Sequence, residues 1–93
     1  MEITAGRARG LKLSDLPEES GIRPTSVRAR RAFFDSVGSV EGIVFADLCA
    51  GSGAMGLEAA SRGAKAVVFA ESNSRAIALI RKNYVRLERS GVG

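Results

Sequence analysis

Asp47-Leu48-Cys49-Ala50-Gly51-Ser52-Gly53-Ala54-Met55-Gly56 is the stretch whose reading decides the fold. An apolar run, Ile43-Val44-Phe45-Ala46, precedes it, and Leu57-Glu58-Ala59-Ala60-Ser61-Arg62 follows with helix-forming composition. The order predicts strand, glycine loop, helix. Glycines let backbone N–H groups come close to a ligand, and a helix start adds the positive end of a dipole. A second apolar run, Ala66-Val67-Val68-Phe69-Ala70, ends in Glu71. A carboxylate at the tip of the second strand is placed to accept the two hydroxyls of a ribose. The pattern predicts the first half of a domain that binds a nucleoside cofactor.

Working outward, residues 2–13 read as a short hairpin, with Ile3–Ala5 and Leu11–Leu13 flanking Gly6-Arg7-Ala8-Arg9-Gly10. Pro17, Gly21 and Pro24 mark a loop. Thr25 or Ser26 can cap a helix that Gly38 stops, with Val27, Phe33, Phe34 and Val37 as its apolar side. The strand over 43–48 has no polar alternation before Asp47, which predicts burial on both faces of a parallel sheet. A helix from about Gly53 to Arg62 gives the right-handed crossover to the strand over 66–71. A last helix spans about Ser74 to Arg89, with Ile77, Ile80, Tyr84 and Leu87 as its apolar stripe and Arg75, Arg81, Lys82, Arg86 and Arg89 outside. Two parallel strands leave an apolar edge without a partner, which points to a larger sheet or to self-association through that edge.

Composition bounds the function. The 93 residues, 45% hydrophobic and 26% charged, suit one small globular unit. No apolar run approaches the roughly 20 residues that span a bilayer, and the N-terminus lacks a basic segment followed by an apolar one, so neither a membrane partner nor a signal peptide is expected. One cysteine and no histidine predict a cytoplasmic protein without a metal site. The net charge is +4. Arg23, Arg28, Arg30 and Arg31 form one acid-free cluster, and Arg7, Arg9 and Lys12 another. Arginine clusters fit phosphate, although a solvated surface accounts for them equally well.

Gly51-x-Gly53-x-x-Gly56 matches the dinucleotide fingerprint formally, with Glu71 near the expected distance. A triphosphate loop is not expected, because Gly56 is followed by Leu57 and Glu58 and not by Lys and Ser/Thr. Asp47 separates the remaining sites. A carboxylate at the end of the first strand opposes a pyrophosphate and suits a cationic ammonium, such as the methionine end of S-adenosylmethionine. Its alternative role is to tie down the glycine loop. Cys49 reads as a small strand residue and not as a nucleophile, since no histidine is available as a partner base.

The segment Asp47-Leu48-x-Ala50-Gly51-Ser52-Gly53-Ala54-x-Gly56-Leu57-Glu58-Ala59 resembles the first motif of Rossmann-like S-adenosylmethionine-dependent methyltransferases, and most closely the RsmD family. Ala5-Gly6-Arg7, Arg23-Pro24-Thr25 with Arg28, Arg30 and Phe34, and Ser61-Arg62-Gly63-Ala64 resemble the same family in collinear order. The resemblance implies an α/β fold with a partial parallel sheet, preceded by an N-terminal β-hairpin and helix. It implies an extension over 1–24 and the N-terminal part of a methyltransferase domain over 25–93. The implied activity is methylation of guanine N2 in 16S ribosomal RNA of the small subunit. Ala50, Gly51, Ser52 and Gly53 are then expected around the cofactor's methionine and ribose, Asp47 at its amino group and Glu71 at its ribose hydroxyls. Asn73 is placed near the adenine, or else caps the last helix. Arg7, Arg9, Arg23, Arg28 and Arg30 are expected to face RNA.

Family members also carry an Asn/Asp-Pro-Pro-Tyr/Phe loop that grips the target amine. Here Pro17 and Pro24 are the only prolines, and no catalytic residue is assigned. The 93-residue chain is therefore expected to hold the cofactor without transferring the methyl group. Two other readings stay open: a fragment of an NAD-binding Rossmann oxidoreductase, which Asp47 disfavours, and a non-catalytic RNA-binding module, which the arginines alone support.

Overall fold

The computed structural model describes residues 1–17, 25–48 and 50–92, the last two as backbone. Ser26 opens helix α1 (Val27–Val37) by accepting the Ala29 N–H, and Gly38 ends it at φ 78°. Strand β1 (Val44–Leu48) leads through the glycine loop to helix α2 (Ala54–Ser61). Strand β2 (Ala66–Ala70) and helix α3 (Ser74–Leu87) follow, and α3 runs into a π-helical turn over Glu88–Val92. β1 and β2 pair in parallel, with Val44 opposite Ala66, Asp47 opposite Phe69 and Leu48 opposite Ala70. The predicted β-α-β-α order stands, with element ends within a few residues of the expected ones.

The helices gather on one face of this sheet. Phe34 of α1 stacks on Phe45 of β1 at 5.8 Å. α2 approaches β2 so closely that a Cβ at Gly56 would lie 2.3 Å from the Phe69 ring, which makes glycine obligatory there. The opposite face carries Val44, Leu48 and Val68 at 62%, 71% and 54% exposure. The expectation of burial on both faces is therefore corrected. The β1 run is apolar throughout, yet the described helices cover only the side bearing Phe45, Asp47, Val67 and Phe69.

The predicted apolar sides of α1 and α3 also shift. Phe34 is buried on α1, whereas Val27, Phe33 and Val37 are exposed and Arg30 takes a buried place beside Phe34. On α3 the inward set is Ala76, Ile80, Asn83 and Leu87, and Tyr84 turns outward. The cause is the N-terminal arm. Residues 1–15 pack across α2 and α3, and Ile3, Ala8 and Leu13 share one core with Leu57 and Leu87. The arm folds back on itself as a short antiparallel turn with Glu2 bridged to Lys12, the Ile3 N–H donating to the Leu11 carbonyl at 3.0 Å and the Leu13 N–H to the Met1 carbonyl at 2.7 Å.

The arm is attached to the helices by side chains and by one backbone bond, from the Arg7 N–H to the Ser61 carbonyl at 2.8 Å. Ser61 Oγ donates to the Ala5 carbonyl and accepts the Ala8 N–H. Asn83, fully buried, donates to the Ser14 carbonyl and accepts its N–H. Glu58, also fully buried, accepts from the Thr4 N–H, the Thr4 hydroxyl, the Ala5 N–H and Arg62 Nε at 2.9–3.1 Å. Arg30 Nε lies 3.2 Å from Glu58 Oε1 but off the hydrogen-bonding direction, so that contact is electrostatic. The Arg30 guanidinium is satisfied elsewhere by donation to the Glu2 carbonyl. Buried ionised groups persist only when paired in this way.

Candidate functional site

The glycine loop sits at the carboxyl ends of both strands, the edge where open α/β sheets bind ligands. The Ala50 N–H donates to the Ala70 carbonyl at 3.0 Å, and the Gly53 N–H turns back to the Ala50 carbonyl at 2.8 Å. Gly51 and Gly53 hold φ of 56° and 81°, a region that side-chain-bearing residues avoid. Gly53 is the N-cap of α2, and its pro-Cβ side faces Ile80 at 2.9 Å and Phe69. Gly53 and Gly56 thus bring helix and sheet together, while Gly51 shapes the loop.

Two carboxylates converge on this loop. Asp47 is 8% exposed, and its Oδ2 accepts the Gly56 N–H at 2.9 Å. Among the described residues nothing donates to its Oδ1. Burial pushes the Asp47 carboxyl above its ordinary range, the Gly56 N–H opposes the shift, and the negative charge of Glu71 adds to it. Glu71 accepts the Gly51 N–H at 2.7 Å through Oε1 and the Asn73 N–H at 2.9 Å through Oε2. The backbone N–H groups of Asn73 and Gly51 hold its carboxyl below the usual range. Each Glu71 oxygen keeps a lone pair after these bonds, so it can still accept two hydroxyl protons.

The loop thus offers one carboxylate placed for a cation and another placed for a diol. The donor set fits a ligand joining an ammonium to a ribose. It does not fit a pyrophosphate, which would meet Asp47 with like charge. Among the described residues no group of three or more His, Cys, Asp and Glu side chains could hold a metal ion.

The structure brings Asp47, Ala50, Gly51, Ser52, Gly53 and Glu71 together at one edge. Ser52 is buried, so it presents backbone more than hydroxyl. Asn73 is the α3 cap: its Oδ1 accepts the Arg75 and Ala76 N–H groups. Arg7, Arg9 and Arg28 are exposed. Arg30 is 1% exposed and belongs to the Glu58 cluster, so its expected place on an RNA-facing surface is corrected. Arg23 and Cys49 lie outside the described residues. The Glu58 cluster itself escaped the sequence reading. Its one signal was an acid inside the apolar run Leu57-Glu58-Ala59-Ala60.

Depressions of about 450 and 340 Å³ open along β2 and α3, lined by Val67, Phe69, Ile80 and Tyr84 and by Phe69, Glu71 and Ile77. Neither is lined by Asp47 or the glycine loop. They are the uncovered flank of β2, where a further sheet strand would lie.

The chain resembles known proteins in sequence and in fold. The family model described as conserved hypothetical protein 95 matches residues 1–92. Ribosomal RNA small subunit methyltransferase D of Escherichia coli is 38% identical over 95% of this chain and 44% of its own length. Its counterpart of the same name in Haemophilus influenzae is 37% identical, over 97% of this chain and 47% of its own. Among solved structures, hypothetical protein TTHA0928 of Thermus thermophilus superposes with a TM-score of 0.76 at 38% identity, over all of this chain and 52% of that one. The candidate methyltransferase yhhF of Escherichia coli superposes with a TM-score of 0.75 at 30% identity, over 95% of this chain and 47% of that one. The chain spans about half the length of the relatives it matches. With the glycine loop, its two carboxylates and a match from residue 1 to residue 92, the chain belongs to the conserved hypothetical protein 95 family, which is the RsmD family.

Proposed function

We propose that this chain is the cofactor-binding half of an S-adenosylmethionine-dependent RNA methyltransferase that acts on guanine N2 of small-subunit ribosomal RNA. The observation that carries the cofactor is the pairing of Asp47 and Glu71 across one glycine loop. Asp47 Oδ1 takes the cofactor's ammonium, Glu71 takes the ribose hydroxyls, and the backbone of Ala50, Gly51, Ser52 and Gly53 packs along the methionine and ribose. Asn73 contributes by fixing the start of α3 behind Glu71. The RNA substrate rests on the relatives' names and on the exposed arginines, with Arg7, Arg9 and Arg28 as contacts. Within this reading, residues 25–93 are the first part of a Rossmann-like sheet domain and residues 1–24 its extension. A cytoplasmic site of action is consistent with the single cysteine, and among the described residues no helix is long and apolar enough to cross a membrane.

S-adenosylmethionine supplies a methyl group activated by a sulfonium leaving group. The chain's own part is to hold that group in place: Asp47 fixes one end, Glu71 the other, and the loop sets the line of approach. Positioning of this kind accounts for most of the rate when little proton transfer is required. The amine-gripping loop that the resemblance implies has no counterpart in residues 1–93, so these residues are expected to bind cofactor and not to turn over.

Calorimetric titration with S-adenosylhomocysteine, and with NADH in parallel, tests the cofactor. Binding of S-adenosylhomocysteine alone, lost in Asp47→Ala, is the expected result. NADH binding that Asp47→Ala leaves intact or improves would replace this reading with the oxidoreductase one.

A further inference from the structure

α3 carries more positive charge than its packing needs. Arg75, Arg81, Lys82 and Arg86 are exposed on it, and Arg89 follows in the π-helical turn. At roughly 3.6 residues per turn, Arg75, Lys82 and Arg86 fall within about 40° of arc and span about 17 Å of the helix. No acidic residue occurs between Glu71 and Glu88, so nothing on α3 neutralises them.

The position of this stripe is informative. Asn83 points inward and divides the helix surface in two. On one flank Ile80 and Tyr84 border the open edge of β2. Arg75, Lys82 and Arg86 project from the other flank. The N-terminal arm meets the helix along the dividing line, where Asn83 holds Ser14 at 2.9–3.0 Å and Leu87, on the Ile80 side, packs on Leu13. A strand added beside β2 would leave the stripe exposed. Lys82, Arg86 and Arg89 line a surface depression of about 450 Å³ with Val85. The neighbouring acids are accounted for: Glu71 is engaged by the Gly51 and Asn73 N–H groups, Asp15 beside Ser14 pairs with the N-terminal ammonium at 2.6 Å, and Glu88 projects from the Tyr84 side of the helix.

We infer that Arg75, Lys82, Arg86 and Arg89 form a second RNA-binding surface, which grips the phosphate backbone and is separate from the arm that bears Arg7, Arg9 and Lys12. The inference rests on the RNA reading above. Arginine and lysine at helical spacing over an apolar floor neutralise successive phosphates without reading bases. A lipid surface fits less well, because Ala76, Ile80 and Leu87 are spent in the protein's own core and the stripe has only Val85 as an exposed apolar neighbour, with Tyr84 on the opposite flank.

Fluorescence anisotropy of a labelled RNA stem-loop, titrated at several salt concentrations, tests this. Each lost phosphate contact lowers the salt slope by roughly 0.7–0.9. Lys82→Gln/Arg86→Gln should therefore lower it by about 1.4–1.8. Lys65→Gln/Arg81→Gln removes the same charge from exposed sites outside both proposed surfaces and should lower it by less than half as much. Lys82→Arg/Arg86→Lys should keep the wild-type slope, and circular dichroism confirms that each variant is folded. Equal losses in the two glutamine pairs would reduce the stripe to net charge and overturn the inference, as would no loss in either. A wild-type chain with no salt-dependent RNA affinity would overturn the RNA reading itself, and this inference with it.

Discussion

Helix α2 has a carboxylate cluster at each end, and the two are built to opposite specifications. Near its C-terminal end Glu58 has no exposed surface, donors from the arm and from Arg62 converge on it, and the Arg30 guanidinium adds its charge at 3.2 Å. At its N-terminal end Asp47 and Glu71 each use backbone N–H groups and keep acceptor capacity in reserve. A saturated carboxylate can only hold structure together. A carboxylate with spare lone pairs at the open edge of a sheet can still take a ligand. Burial alone would have ranked Glu58 first as a functional residue, whereas the count of unused acceptors ranks Asp47 and Glu71 first.

The comparison breaks most visibly at Glu58. Glu58→Ala leaves Arg30 charged and 1% exposed, without its anion. Removing one partner of a buried pair costs about 3–5 kcal/mol, so urea unfolding should show a loss of that order. Glu58→Gln should lose less, since it can still accept from the Thr4 and Ala5 N–H groups. A loss below about 1 kcal/mol in Glu58→Ala would show that the arm does not depend on this cluster.

Gly6 sharpens the same end. A Cβ there would sit 2.0 Å from the Ser61 carbonyl oxygen, at φ 85°. Left-handed strain and overlap together predict a cost of about 2–4 kcal/mol for Gly6→Ala. Gly10 supplies the control, with φ 86° and nothing within 4 Å of its Cβ position. Gly10→Ala should cost only the strain, about 1–2 kcal/mol. Equal melting temperatures for the two variants would remove the close approach of arm and α2 from the account.

These residues also show how much could be read from sequence. The β-α-β-α order and the loop edge were legible because apolar runs, glycines and the acids at the strand ends are local signals. Asp47 and Glu71 could be placed from the chain alone for that reason. Arg30 could not. Its neighbours 28 and 31 are exposed arginines, and only the fold of the arm, 28 residues earlier at Glu2, distinguishes it from them. Glu58 was hidden in the same way, because its partners Thr4 and Ala5 lie 54 and 53 residues away. The open sheet face was misread because an apolar strand does not record which of its faces is covered, and the described helices lie on one side only. That exposed face predicts concentration-dependent self-association, which sedimentation velocity would detect. A strictly monomeric chain at all concentrations would argue that the face is tolerated in water.

At the other end, Asp47→Asn separates ligand binding from loop stability. The amide oxygen still accepts the Gly56 N–H, while the buried charge disappears. The variant should melt at or above the wild-type temperature and bind S-adenosylhomocysteine at least about tenfold more weakly, equivalent to ~1.4 kcal/mol. Loss of both stability and affinity would make Asp47 a loop anchor only, of the same kind as Glu58.

The smallest expected effect is in pH, and it tests whether Asp47 and Glu71 are a coupled pair. Glu71 is depressed from 4.5, so its contribution to stability is complete above that value and is lost as pH falls through its folded value. Asp47 is raised from 3.8, so its folded state favours the protonated form. Between 3.8 and the raised value the native state binds the extra proton, and Asp47 adds stability as pH falls. The two slopes oppose each other in the acid range. Asp47→Asn should therefore lose stability more steeply than wild type as pH falls toward 3.8, while Glu71→Gln should lose it less steeply below 4.5. Other carboxylates cancel when the variants' melting curves are subtracted pairwise. Glu71→Gln also removes the negative charge that helps raise Asp47, so the Asp47 contribution should move toward lower pH in that variant. Superimposable melting temperature against pH profiles for the two variants would mean that the carboxylates titrate independently of the fold and of each other. The glycine loop would then hold them near in space without linking their charges.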